Sequence, residues 1–287
     1  MPTVRANGLD LAYDEQGDGP ALLLVMGIGA QRILWPDGLV ADLARRFRVV
    51  RFDNRDVGQS TWLRDAPVPR PLPALLRALA KLPVSAPYTL SDMAADTVGL
   101  LDALGIARAH VVGASMGGMI AQHLAIEHPE RVATLTSLMS GPGSVRHMLG
   151  APRALRALLR PPPRTRDEAM DSAEQLFSVI GGRIPGDVAG IRDRAARQFD
   201  VGSNPAGFAR QWAALLASGS RLAALRGVRA PTLVVHGTDD PLVPPRAGRA
   251  TARAIPGAEL LMIDGMGHDL PPSTWPPIVE RIVAHAA

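Results

Sequence analysis

Val111-Val112-Gly113-Ala114-Ser115-Met116-Gly117-Gly118 reads as an apolar strand end that runs into a Gly-x-Ser-x-Gly turn and then a helix. Small residues on both sides of Ser115 permit a strained strand-to-helix turn. Such a turn lifts a serine hydroxyl clear of a sheet and sets a helix N-terminus beneath it. Chance alone produces this pattern often enough that its surroundings must agree, and they do. Residues 109–114 form the strand. Residues 117–127 form a helix with Met119, Ile120, Leu124 and Ile126 as its apolar side, ended by His128-Pro129.

A serine nucleophile needs a base to take its proton and an acid to orient that base. Residues 230–236 are a buried-strand pattern that breaks at Gly237-Thr238-Asp239-Asp240-Pro241. Residues 258–263 are another, followed by Asp264-Gly265-Met266-Gly267-His268. The order Ser, Asp, His, each on a loop after a strand, matches one known arrangement of this triad and not the others. Gly265 and Gly267 give the loop the freedom to swing the His268 ring over Ser115. Asp239 and Asp240 compete for the acid, and Pro241 biases Asp240 towards an extended conformation. His123 lies on the helix after Ser115 and His236 within a strand, and both read as structural.

Around these motifs strands and helices alternate, which predicts an α/β fold with a mostly parallel, doubly wound sheet. Residues 3–6 and 9–14 form strands joined by Asn7-Gly8, a hairpin signal. Strands at 21–26 and 48–52 flank a helix at 37–46. Thr89 and Asp92 form a capping-box-like start to a helix that stops at Gly105, and a last helix covers 277–286. Two stretches break the alternation. Residues 65–87 hold six prolines around a short helix at 75–81 and read as a flap near the site. Residues 141–227 lack strand patterns and read as a helical cap, with helices at 167–180, 187–200 and 205–217, inserted into a core made of 1–140 and 228–287. The cap carries 13 arginines against seven Asp and Glu, a surplus that would suit an acidic ligand.

Composition narrows the function classes. A chain of 287 residues, 47% hydrophobic and 20% charged, suits one globular core with an insertion. The longest apolar run, 21–30, is about half a membrane span, and no leader pattern precedes the first strand, so no membrane partner and a cytoplasmic location are expected. No cysteine is present and the seven histidines lack ligand spacing, so no metal is expected. The formal charge of +4 comes almost wholly from arginine, without aromatic interleaving or a recognition module, and nucleic acid is not an expected partner. Gly27-Ile28-Gly29 continues Ala30-Gln31-Arg32, without the third glycine of a dinucleotide fingerprint, and no cofactor is expected.

In Leu24-Val25-Met26-Gly27-Ile28-Gly29, Asp53-Asn54-Arg55-Asp56-Val57-Gly58-Gln59-Ser60 and Gly265-Met266-Gly267-His268, the chain resembles the α/β-hydrolase superfamily over nearly its whole length. It is similar there to the bacterial serine esterases of the aclacinomycin methylesterase-like group. The resemblance implies Ser115 as nucleophile, Asp240 as acid and His268 as base, with the backbone N–H groups of Ile28 and Met116 as the oxyanion hole. Where many members carry His-Gly, this chain has Met26-Gly27, so a hydrogen bond that stiffens the loop is missing. Gly27, Met266 and Trp212 are expected to line the substrate pocket. The implied activity is hydrolysis of small-molecule carboxylic esters through an acyl-enzyme. Perhydrolysis by a haloperoxidase-like enzyme on the same triad, or ligand binding without turnover, are the alternatives. Epoxide hydrolases and dehalogenases of this fold use a carboxylate where this chain has Ser115. Oligomeric state leaves no mark in the sequence.

Overall fold

A computed structural model describes residues 2–286. The chain begins with Thr3–Ala6 (β1) and Leu9–Gln16 (β2), an antiparallel pair turned by Asn7 and Gly8, both at positive φ. Ala21–Val25 (β3), Asp37–Ala44 (α1), Arg48–Phe52 (β4), Pro71–Leu79 (α2), Leu90–Ala103 (α3), Ala109–Ala114 (β5), Met116–Glu127 (α4) and Val132–Leu138 (β6) follow. Five helices come next: Val145–Met148 (α5), Pro152–Leu158 (α6), Arg166–Ile180 (α7), Val188–Val201 (α8) and Pro205–Ala217 (α9). Thr232–Gly237 (β7), Pro245–Ala254 (α10), Glu259–Ile263 (β8) and Trp275–Ala286 (α11) complete the chain.

The strands form one sheet in the order β1-β2-β4-β3-β5-β6-β7-β8, antiparallel at the β1 edge and parallel from β4 to β8. Period-2 alternation sends the side chains of each apolar strand to opposite faces, so a fully buried strand needs helices on both. In β3, Leu23 and Val25 join Val111, Met93 and Ile120 on the α3/α4 face. Leu22 and Leu24 join Val112, Leu39, Leu43, Ile278 and Ile282 on the α1/α11 face. None of the described helices is long and apolar enough to cross a membrane.

The expected strands and most helices form within a residue or two of their predicted ends, and Thr89 and Asp92 make a full capping box. Four elements were not read from the sequence: β6, α5, α6 and α10. In β6, Val-Ala-Thr-Leu-Thr-Ser-Leu interrupts the apolar run with buried hydroxyls, and the short α5 and α6 have too few turns to show a period. The helix expected at 75–81 instead starts at Pro71. Pro71 and Pro73 lie in its first turn, where a missing N–H costs no hydrogen bond. The flap that carries it packs against α9, and none of its residues lines the cavity described below.

Candidate active site

Ser115 sits between β5 and α4 at φ 56°, ψ −119°, a region that side-chain-bearing residues rarely adopt. Its neighbours permit this. A Cβ on Gly113 would strike the Gly117 backbone, and one on Gly117 would strike the Val25 carbonyl, so the elbow closes only with glycine at both positions. The Ser115 N–H donates to the Leu138 carbonyl at 2.9 Å, and the Ser140 hydroxyl donates to the Ser115 carbonyl at 2.7 Å. These bonds fix the Ser115 backbone at the carboxyl end of β5.

His268, on the loop after β8, places Nε2 3.0 Å from Ser115 Oγ and Nδ1 2.7 Å from Asp240 Oδ2. Asp240, on the loop after β7, is buried, and its Oδ1 accepts the N–H groups of Leu242 and Val243 at 2.9 and 2.8 Å. Burial works against its charge, but His268 and His236 beside it win and hold the carboxyl down at about 2. Asp239 faces the other way: it pairs with Arg183 at 2.7 Å near the surface. The structure therefore brings Asp240, and not Asp239, to the ring. His236 is fully buried and bonds the Val243 carbonyl at 2.7 Å, while His123 pairs with Glu127 away from the serine.

The Gly27-Ile28-Gly29 loop lies directly against the elbow: a Cβ built on Gly27 would sit 3.7 Å from Ser115 Oγ. Met116 opens α4, where a first-turn N–H has no intrahelical acceptor, and the Ile28 N–H makes no hydrogen bond among the described residues. Lacking a histidine at position 26, the loop is braced in other ways. Asn54 donates to the Met26 carbonyl at 3.0 Å. Gln211 on α9 accepts the Gly29 N–H at 2.8 Å and donates to the Arg55 carbonyl at 2.8 Å. Gly29 stands at φ 64° with the Phe208 ring over it. The helix that supplies Gln211 is anchored by Arg210, whose guanidinium grips buried Asp56 through two bonds of 2.8 and 2.7 Å. Tyr88 OH donates to the same carboxylate at 2.9 Å, and despite burial these partners hold Asp56 below the usual carboxylate range. Asp53, buried against Arg32, moves the other way because desolvation dominates.

Ser115, His268, Gly27 and Ile28 open onto a cavity of about 400 Å³ lined mainly by apolar side chains, among them Met139, Leu158, Leu176, Phe177, Phe199 and Phe208. Two expected pocket residues are elsewhere. Met266 is wholly buried in the core with Leu233 and Ile278. Trp212 turns its indole N–H to the Pro71 carbonyl at 3.1 Å, and Phe208, one turn earlier, supplies the ring that lines the cavity. Met26 does line it. Six of the 13 arginines in 141–227 form ion pairs, among them Arg166 with Asp200, Arg192 with Asp171 and Glu174, and Arg197 with Asp193. Only Arg160 and Arg194 reach the lining among the described residues. Gln211 and Asp269 were not foreseen; neither belongs to a spacing pattern that sequence could show.

A nucleophile elbow on a mostly parallel sheet, with Asp and His delivered from the ends of later strands, defines a hydrolase-type α/β architecture. Residues 20–272 match the alpha/beta hydrolase fold family, and the chain belongs to it. It is 30% identical to rhodomycin D methylesterase DnrP of Streptomyces peucetius, covering 99% of this chain and 98% of that protein. It is 29% identical to the putative non-heme bromoperoxidase BpoC of Mycobacterium tuberculosis, over 91% of each chain. Among solved structures, the enol-lactonase from Burkholderia xenovorans LB400 superposes with a TM-score of 0.72 at 26% identity, over 99% of both chains.

Proposed function

We propose that the protein is a serine carboxylic ester hydrolase for small, largely apolar esters, with 141–227 as a cap over a core of 1–140 and 228–287. The observation that carries this is the relay Ser115 Oγ to His268 Nε2, and His268 Nδ1 to Asp240, opening onto an apolar cavity. A methylesterase and an enol-lactonase among the similar proteins support ester chemistry.

In this mechanism His268 takes the Ser115 proton as Oγ attacks the ester carbonyl. Asp240, ionised throughout, fixes the tautomer with Nδ1–H and stabilises the imidazolium. Charge that builds on the carbonyl oxygen is met by the N–H groups of Ile28 and Met116, held ready by the Gln211 brace and the start of α4. The imidazolium then protonates the leaving alkoxide, the alcohol departs, and water attacks the acyl-enzyme with His268 again as base. The cap wall excludes bulk water from an otherwise open sheet end.

Fluorophosphonate labelling of Ser115, combined with turnover of a panel of methyl, aryl and lactone esters, tests the reading. An unlabelled protein that cleaves none of them refutes it. The bromoperoxidase relative favours a second use of the same acyl-enzyme, with peroxide replacing water. Peroxide-dependent peracid formation from acetate at a rate comparable to ester hydrolysis would establish it.

A further inference from the structure

Asp269 follows His268 directly, so the two Cα atoms stand about 3.8 Å apart. It lines the same cavity, is only 7% exposed, and its Oδ1 has no hydrogen-bond partner. No arginine or lysine pairs with it among the described residues. The two guanidinium groups of the cavity lining are committed elsewhere: Arg160 to Gln175 at 2.6 Å, and Arg194 beside Asp187 at 3.7 Å. On the cap side, Cβ positions built on Gly181 and Gly186 fall 3.3 and 3.7 Å from Oδ2, so the carboxyl is wedged between the base loop and the chain after α7. Burial pushes it up to about 6, with the Gly267 N–H pulling down, so it still ionises at neutral pH.

A buried carboxylate without a counter-cation is costly unless something supplies donors. The backbone N–H groups of Gly267 and Asp269 act on the carboxyl, but the apolar walls add no donor and Oδ1 has no partner. A ligand that completes the site has to bring a hydrogen-bond donor, and the position next to His268 sets that donor within a few bonds of the reacting carbonyl, where a small ester carries it most simply as a hydroxyl. Resting on the esterase reading above, we propose that Asp269 is a specificity residue that accepts a hydrogen bond from a hydroxyl of the substrate, so that the enzyme takes hydroxy esters in preference to their deoxy counterparts. An anionic substituent at the same place would meet like charge, so the cap's arginine excess does not define the substrate.

The test compares kcat/KM for two matched pairs, methyl mandelate with methyl phenylacetate and methyl 3-hydroxy-3-phenylpropanoate with methyl 3-phenylpropanoate. At neutral pH the wild-type protein should prefer one hydroxy member by about tenfold or more, the worth of a hydrogen bond to a charged group. In Asp269→Leu that ratio should fall to near one. Asp269→Asn, which keeps the shape and loses the charge, covers a Leu variant that does not fold, and its ratio should shrink as well. Because the readout is a ratio, general damage to the neighbouring His268 cancels. A flat ratio in a wild-type protein that labels at Ser115 and hydrolyses the esters overturns this proposal alone, as does a wild-type preference unchanged in the variants. A protein that neither labels at Ser115 nor hydrolyses any of the esters overturns the esterase reading and this proposal with it.

Discussion

Replacing Gln211 with leucine removes the brace on the Gly27-Ile28-Gly29 loop, the proposed oxyanion loop, while keeping nearly the same volume. Gln211 is fully buried, and both its bonds, to the Gly29 N–H and the Arg55 carbonyl, are 2.8 Å. Leucine leaves two backbone groups without partners, each costing about 1–3 kcal/mol, so the fold should lose about 2–5 kcal/mol. At a few degrees per kcal/mol in a chain of this size, Tm should fall by roughly 5–15 °C. The catalytic effect is separable. Deleting an oxyanion donor costs on the order of 10² to 10³ in kcat, and an Ile28 N–H that is freed to wander should cost about tenfold to hundredfold. That donor matters more as charge develops than in the ground state, so KM should change little. Steady-state kinetics on a methyl ester, well below the lowered Tm, reads the split. Gln211→Glu retains an acceptor for Gly29 and loses the amide donor to Arg55, so it should recover part of kcat without recovering all of the stability. A leucine variant with wild-type kcat, or one whose loss lies wholly in KM, refutes the loop-positioning argument.

Ser115→Ala should lower kcat by about 10⁴ or more while stability stays within about 1 kcal/mol, checked by ester turnover beside thermal melting. Asp240→Asn should cost orders of magnitude more turnover than Asp239→Asn, because only Asp240 bonds the His268 ring; equal losses would reverse the assignment. Asp240 also carries acid sensitivity. Its depressed carboxyl contributes stability that is whole above about pH 4 and drains away as pH falls towards 2, a window visible as a falling Tm that Asp240→Asn should flatten. For Asp269 the sign is opposite: a raised carboxyl favours the folded state when protonated and weakens it as pH climbs from about 4 through 6. Asp269→Asn should therefore gain up to about 2 kcal/mol relative to wild type at pH 8 compared with pH 4, and an equal difference at both pH values would contradict the burial argument.

Some of this was legible before any coordinates. The elbow declares itself because Gly113, Ser115 and Gly117 are local partners, and the steric demand that selects glycine acts over four residues. Period-2 and 3.6 patterns, the Asn7-Gly8 hairpin and the Thr89/Asp92 capping box are likewise short-range, and they named the sheet, its hairpin edge and α3. Chain order alone put acid and base at the ends of later strands. What short-range pattern cannot show is which side chains meet across the fold. Asp239 and Asp240 are adjacent and chemically identical, and the choice came from Arg183 engaging one while His268, 28 residues on, engages the other. Trp212 and Met266 looked like pocket residues by type; packing turned one towards Pro71 and the other into the core. Gln211 meets Gly29 across 182 residues, and Asp269 owes its exceptional state to apolar walls supplied by α6, α7 and α8. Local sterics and periodicity are written into neighbouring residues, so the sequence by itself determined the fold class and the residue types of the proposed triad. Cavity shape, desolvation and the Gln211 brace on the Gly27-Ile28-Gly29 loop are sums over contacts between distant segments, and these only the tertiary structure decided.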